Sequence, residues 1–177
     1  MRLAYRIADA SEASETVNIA CLEKIMNKAT MNNVPHGFEQ FMTHREIAAN
    51  AYVNGDAEPV SGLLTKHSPS SFFGPMGGHV EGAKKVASTH ERGAKQFQVR
   101  CENKLEVLHM GASDAIAYWT GLQHASVYVG NSAKATPMNL RVTEVFRRED
   151  GEWKLIHRHA DMLAVTLAVK NKPKVER

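Results

Sequence analysis

The period of the apolar residues changes once along this chain, near Phe97. That change limits what it can fold into more than any other feature. Before it, apolar positions recur every three or four residues; after it, they alternate. Asp9, with Glu12 three residues on, opens a helix whose apolar face is Val17, Cys21 and Ile25. A second helix fits Phe38 to Val53, with Phe38, Phe41, Ala48, Ala51 and Tyr52 on one face, and Asn54-Gly55 ends it. Ala57–Leu64 reads as a short helical turn, Ser70–Phe73 as a short strand, and Gly74-Pro75-Met76-Gly77-Gly78 as a tight loop. A third helix fits Val80–Phe97, with the stripe Ala83, Val86, Ala87, His90, Ala94 and Phe97. Four strands follow over Val99–Met110, Ala115–Val129, Leu140–Arg148 and Glu152–Asp161. The last two are joined by Glu149-Asp150-Gly151, a strong hairpin signal. Helices first and antiparallel strands after them predict an α+β fold, with helices packed on one face of a curved sheet.

Composition narrows the function classes. The chain has 177 residues and a net charge of +3, too mild for a nucleic-acid or membrane footprint. The N-terminus carries charges in its first dozen residues and no apolar signal core, and no apolar stretch approaches a membrane span. Cys21 and Cys101, far apart, make neither a disulfide framework nor a metal knuckle. A reducing, cytoplasmic setting is expected. There is no Walker loop, no Gly-x-Gly-x-x-Gly and no zinc-protease helix, so no cofactor is expected. The nine histidines are the unusual count.

Three segments carry a resemblance: NGDAEPVSGLLTKHSPSSFFGPMGGHVEGA, DAIAYWTGLQ and LRVTEVFRREDGEWKLIHRHAD. They resemble the nuclear transport factor 2-like superfamily, in its SnoaL-like, ketosteroid isomerase-related branch. The similarity runs from about Phe38 to Asp161. It implies a SnoaL-like domain over 36–161, an N-terminal helical extension over 1–35 and a C-terminal tail over 162–177. It also implies a cone-shaped α+β barrel, a strongly bent sheet around a long helix, and a homodimer through the outer face of the sheet. The family includes isomerases, dehydratases, cyclases and other lyases that need no cofactor. It also includes non-catalytic members, such as the association domain of calcium/calmodulin-dependent kinases, so fold alone does not decide function.

That association domain lines its cavity with arginines at positions that align with Thr120, Glu144 and Ala160, and this chain departs from the pattern at all three. The alignment implies a concave face made of Ile116, Tyr118, Thr120 and Leu122; Val142, Glu144 and Phe146; and Ile156, Arg158 and Ala160. A β-bulge would move a set to the other face. On this reading Glu144 is the catalytic carboxylate, walled by apolar groups that raise its pKa; a solvated or dimer-facing strand position is the alternative. Arg158 either pairs with Glu144 structurally or holds a developing oxyanion. Tyr118 offers a hydroxyl donor or is a core tyrosine. His90 interrupts the apolar stripe of the third helix, as a satisfied core histidine or as a ligand contact. Phe73 and Met76 form the apolar rim of the pocket, and Thr120, Leu122, Val142, Phe146, Ile156 and Val86 complete the substrate-binding set. His157-x-His159-x-Asp161 has metal-ligand residue types, but three residues along one strand span about 13 Å, too far for a compact site, so no metal is expected. The function that follows is a cofactor-independent lyase or isomerase. It would move protons on a small, aromatic, hydroxyl- or carbonyl-bearing molecule. The alternative is a non-catalytic small-molecule-binding or oligomerisation module.

Overall fold

The structure, a computed structural model, describes residues 36–163. The helix expected after Asp9, the pairing status of Cys21 and the basic tail from Lys170 lie outside the described residues. The elements are α1 (His36–Val53), α2 (Glu58–Leu63), β1 (Ser71–Phe73), β2 (His79–Glu81), α3 (Ala83–Ala94), β3 (Glu102–Ala112), β4 (Ile116–Val127), β5 (Thr136–Glu149) and β6 (Glu152–Met162). One six-stranded sheet has the order β2-β1-β6-β5-β4-β3. All its pairs are antiparallel except β1 with β6. The sheet is curved and unclosed, and the helices pack in its hollow: the α+β fold expected from the change of period, in the cone shape that the resemblance implies.

Each turn signal has a local cause. Asp150 and Gly151 both take positive φ (50° and 84°), the pair of left-handed residues that a two-residue hairpin needs. Gly55, at φ 90°, closes α1 with its N–H on the carbonyl of Tyr52. Asn54 then ties the helix end to the start of the sheet. Its amide accepts from the Cys101 N–H at 2.9 Å and donates to the Cys101 carbonyl at 3.1 Å. The third helix is shorter than the stripe suggests. It starts at Ala83, because His79–Glu81 instead pairs with β1 as a hairpin and Gly82, at φ 92°, turns the chain into the helix.

Two bulges shape the sheet. In β3 the register shifts between Val107 and His109, so Leu108 is the extra residue. Gly121 faces this bulge, where an added Cβ would lie 2.0 Å from the Glu106 carbonyl oxygen; only glycine lets the strands approach so closely. In β6 the pairing passes from Phe146 with Leu155 to Val145 with His157, leaving Ile156 as the extra residue.

The core fills one end of the cone. Phe38 and Phe41 on α1 pack with Phe146 and Trp153, at ring-centroid distances of 5.0–5.7 Å, mostly edge to face. Toward the other end the sheet leaves a hollow, beyond which Val53, Cys101, Ala125 and Val127 form a second, smaller buried cluster.

Candidate functional site

Residues paired across neighbouring strands share a face of the sheet. Trp119 pairs with Glu144, and Glu144 with Arg158, so these three form one inward-facing row. Glu144 is completely buried. Its Oε2 accepts from the Trp119 indole N–H at 2.7 Å, and its Oε1 accepts from Arg158 Nη1. From above, α1 brings Arg45, which binds both carboxylate oxygens: Nε to Oε2 at 2.9 Å and Nη2 to Oε1 at 2.6 Å. This is the two-pronged geometry that suits guanidinium to carboxylate. Arg158 Nη2 also donates to the Gln123 amide oxygen at 2.7 Å, and Gln123 passes the chain on to Asn103 at 2.6 Å.

This network sets the charge states. Burial alone would raise the Glu144 pKa, but the Arg45 and Arg158 guanidiniums, with the Arg45 and Trp119 hydrogen bonds, lower it to about 2. The expectation of a carboxylate tuned upward by apolar walls is therefore corrected. Glu144 does face inward. However, its oxygens are held by two arginines and an indole, and it is not part of the cavity wall. It is an anchor, held ionised by the two guanidiniums, that positions Arg45 and Arg158.

Above the row lies a cavity of about 360 Å³. Arg45, Arg158 and Gln123 form its polar floor, and its walls include Val53, Phe72, Phe97, Met138 and Leu140. Such a chamber, apolar with a few convergent polar groups, is the ordinary form of a small-molecule site. Tyr52 from α1 and His90 from α3 also line it, as do Thr89 and Gln96.

His90 Nδ1 lies 2.9 Å from the carbonyl of Val86. A carbonyl only accepts, so Nδ1 carries the proton and Nε2 keeps its lone pair, with no hydrogen-bond partner among the described residues. Burial, opposed by the Val86 hydrogen bond and reinforced by the two arginines, lowers the His90 pKa to about 4. The imidazole is thus neutral at physiological pH. Tyr52 stands beside it, ring centroids 6.1 Å apart. Burial raises the Tyr52 pKa against the pull of Arg158 and Arg45, so the phenol stays a hydrogen-bond donor. Gly93 on α3 makes room for it: a Cβ there would lie 2.2 Å from the Tyr52 hydroxyl.

Of the residues expected at the site, His90, Arg158 and Met76 line the cavity, with Met76 at 91 % exposure on the loop at its mouth. Val142 and Phe146 are on the inner face as expected but belong to the packed core. Val86 is also core, and its backbone orients His90.

Four β4 assignments need correction. Because Trp119 pairs with Glu144, the inward set of β4 is Ala117, Trp119, Gly121 and Gln123, so Ile116, Tyr118, Thr120 and Leu122 face outward. Tyr118 is 40 % exposed and lies over Gly111, where a Cβ would be 2.8 Å from its ring. Thr120 bonds the Val142 carbonyl and the Thr143 hydroxyl.

Two further residues are displaced. Ile156 occupies the β6 bulge, which lets Leu155 and Arg158 both face inward although they are three residues apart. Phe73 is on the outside, among His79, His157 and His159, while its neighbour Phe72 lines the cavity 4.7 Å from the His90 ring. Among the described residues, no group of three His, Cys, Asp or Glu side chains is placed to hold a metal ion.

Sequence reading missed Arg45, Tyr52 as a site residue, Trp119 and Gln123. Arg45 had a signal: it lies seven residues after Phe38, four after Phe41 and seven before Tyr52, a charge in the middle of an apolar stripe.

Comparison with known proteins agrees with the fold. No curated protein matches the sequence significantly. Among solved structures, a proposed dehydratase of the nuclear transport factor 2-like family from Streptomyces avermitilis superposes with a TM-score of 0.61 at 20% identity, covering 72% of this chain and 96% of that one. A nuclear transport factor 2-like superfamily protein from Salmonella enterica gives 0.56 at 15% identity, covering 75% and 99%. The association domain of the C. elegans calcium/calmodulin-dependent kinase II gives 0.55 at 14% identity, covering 71% and 95%. At these identities the likeness is one of fold. The SnoaL-like domain model matches residues 45–164, from the arginine on α1 to just past the last strand, and the chain belongs to the SnoaL-like domain family.

Proposed function

We propose that the protein is a cofactor-independent lyase or isomerase that moves a proton on a small, ring-bearing, hydroxyl- or carbonyl-containing molecule in this cavity. The observation that carries the reading is His90. It is a neutral imidazole with its proton fixed on Nδ1, in the wall of an apolar chamber whose floor is cationic.

Proton abstraction beside a carbonyl needs a base and a partner for the oxygen that becomes negative. His90 Nε2 is the base. The Tyr52 hydroxyl is the donor to the developing oxyanion, and the positive field of Arg158 and Arg45 favours its charge. Glu144 acts through the arginines, holding them in place. The apolar walls exclude water, which strengthens each of these interactions. Isomerisation, dehydration and retro-aldol cleavage all use this equipment. Tyr118 and Thr120 have no part in it, since both lie on the outer face.

The test is incubation in heavy water, without added cofactor, with a panel of aromatic diols, ketones and enones, read by mass spectrometry. The wild-type protein should incorporate deuterium or form product from at least one compound. His90→Gln should reduce the rate by about 10²–10⁴-fold, the usual worth of a positioned general base. Ligand binding without any exchange across the panel would leave the non-catalytic binding module as the correct reading.

A further inference from the structure

The floor of the cavity holds more positive than negative charge. Arg45 and Arg158 are 4 % and 8 % exposed, and the single carboxylate they share, Glu144, is completely buried. Among the described residues no acidic side chain lines the cavity: its ionisable wall residues are Arg45, Tyr52, His90 and Arg158. Two guanidiniums against one carboxylate leave one unit of positive charge facing an apolar chamber. The hydrogen bonds are also unfinished. Arg45 Nη1 is buried and has no acceptor among the described residues. Arg158 has two of its five N–H bonds engaged, one by Glu144 and one by the uncharged Gln123 amide. A buried charge without a counter-charge is costly, and the described residues bring none to this floor beyond Glu144.

We propose that the cavity binds a small carboxylic acid as its anion, with the carboxylate against Arg158 on the floor and the apolar rings toward Phe72, Phe97 and Leu140. The proposal rests on the reading of this cavity as the substrate site and names the substrate class. A singly charged carboxylate matches the surplus of one and the planar fork of a guanidinium. A phosphate carries more charge than the floor can balance, and the walls beyond the floor are largely apolar. The carboxylate anchors the ligand, leaving a carbonyl or hydroxyl elsewhere on it for Tyr52 and His90.

Three acid and amide pairs test this by calorimetry at pH 7: benzoate with benzamide, cinnamate with cinnamamide, and 2-naphthoate with 2-naphthamide. At least one acid should bind about tenfold or more tighter than its isosteric amide, as expected for charge-assisted against neutral hydrogen bonds. Arg158→Gln should bring the ratio to within about threefold. Glu144→Gln removes the counter-charge and should do the reverse, raising carboxylate affinity while amide affinity stays level, a gain that a folding defect cannot imitate. The proposal fails if all three amides bind as well as their acids, or if Glu144→Gln lowers the acid-to-amide ratio. Proton exchange on neutral ketones without any preference for acids would refute it and leave the proposed function standing. A clear preference for acids with no exchange on any compound would refute the function and leave the anion site.

Discussion

The two ends of the cone are built from the same strands, yet one is packed solid and the other encloses a chamber. The Arg45–Glu144–Arg158 layer divides them. On one side, the row Ala117, Phe146 and Leu155 lies under Phe38 and Trp153, and aromatic rings fill the space. On the other, the row Gly121, Val142 and Ala160 presents little side-chain volume. Beyond it, Gln123 and Leu140 line open space. Small residues next to a layer of long arginines keep the chamber open, and the aromatic plug holds the sheet that shapes it. The larger core thus lies at one end, and the chamber, backed by the smaller cluster of Val53, Cys101, Ala125 and Val127, at the other.

Substitutions that separate the ends test this directly. The largest effects are expected at the plug and at the dividing layer. Phe146→Ala should cost about 3–5 kcal/mol in urea unfolding, while Phe72→Ala in the cavity wall should cost less than about 2, because its ring already borders space. Equal costs would erase the distinction. Glu144→Leu should cost about 3–5 kcal/mol by leaving two guanidiniums buried without a counter-charge. Replacing Arg45 and Arg158 by Met in the same chain should recover much of that loss and abolish ligand binding.

A smaller effect follows from His90. Its folded pKa of about 4 lies below the ordinary value of 6.5, so between those values the unfolded chain binds a proton that the folded one does not. The stability this residue contributes is complete above pH 6.5 and is lost as pH falls toward 4, by about 3 kcal/mol at most. His90→Gln should flatten unfolding free energy over that window; an unchanged slope would mean the imidazole is not held neutral. If His90 is the base, the acid limb of kcat/KM falls near pH 4 and not near 6.5.

Gly93→Ala gives a test of sign. In an exposed helix the change stabilises by about 1 kcal/mol, but here the methyl meets the Tyr52 hydroxyl, so a net loss of about 1 kcal/mol and weaker ligand binding are expected. The smallest effect belongs to the outer face: Tyr118→Ala should change stability by less than about 1 kcal/mol and leave ligand binding as it was.

The sequence was informative where a signal is local. The hairpin at Asp150-Gly151, the end of α1 at Gly55 and the strands after Phe97 all follow from nearest-neighbour chemistry. His90 stood out as a polar residue in an apolar stripe, and Arg45 stands out by the same rule. The face of β4 is a different matter. Ile116, Tyr118 and Leu122 are as apolar as Ala117, Trp119 and Gly121, so alternation cannot choose between the two sets. The choice rests on register with β5, a contact between residues 25 apart such as Trp119 and Glu144. Nothing local marks Ile156 as a bulge, yet it decides that Arg158 faces the cavity.

Periodicity and turn signals therefore determined the class of fold, most of the order of its elements and the place of His90 on a buried face, because each of these depends on neighbours in the chain. Only the tertiary structure decided what Glu144 does. An isolated buried carboxylate has its pKa pushed up, and the same carboxylate between two guanidiniums has it pulled down to about 2. One of those guanidiniums comes from a helix 99 residues away in the chain. Electrostatic energy depends on distance in space, and distance in space was settled by strand register and by one inserted residue.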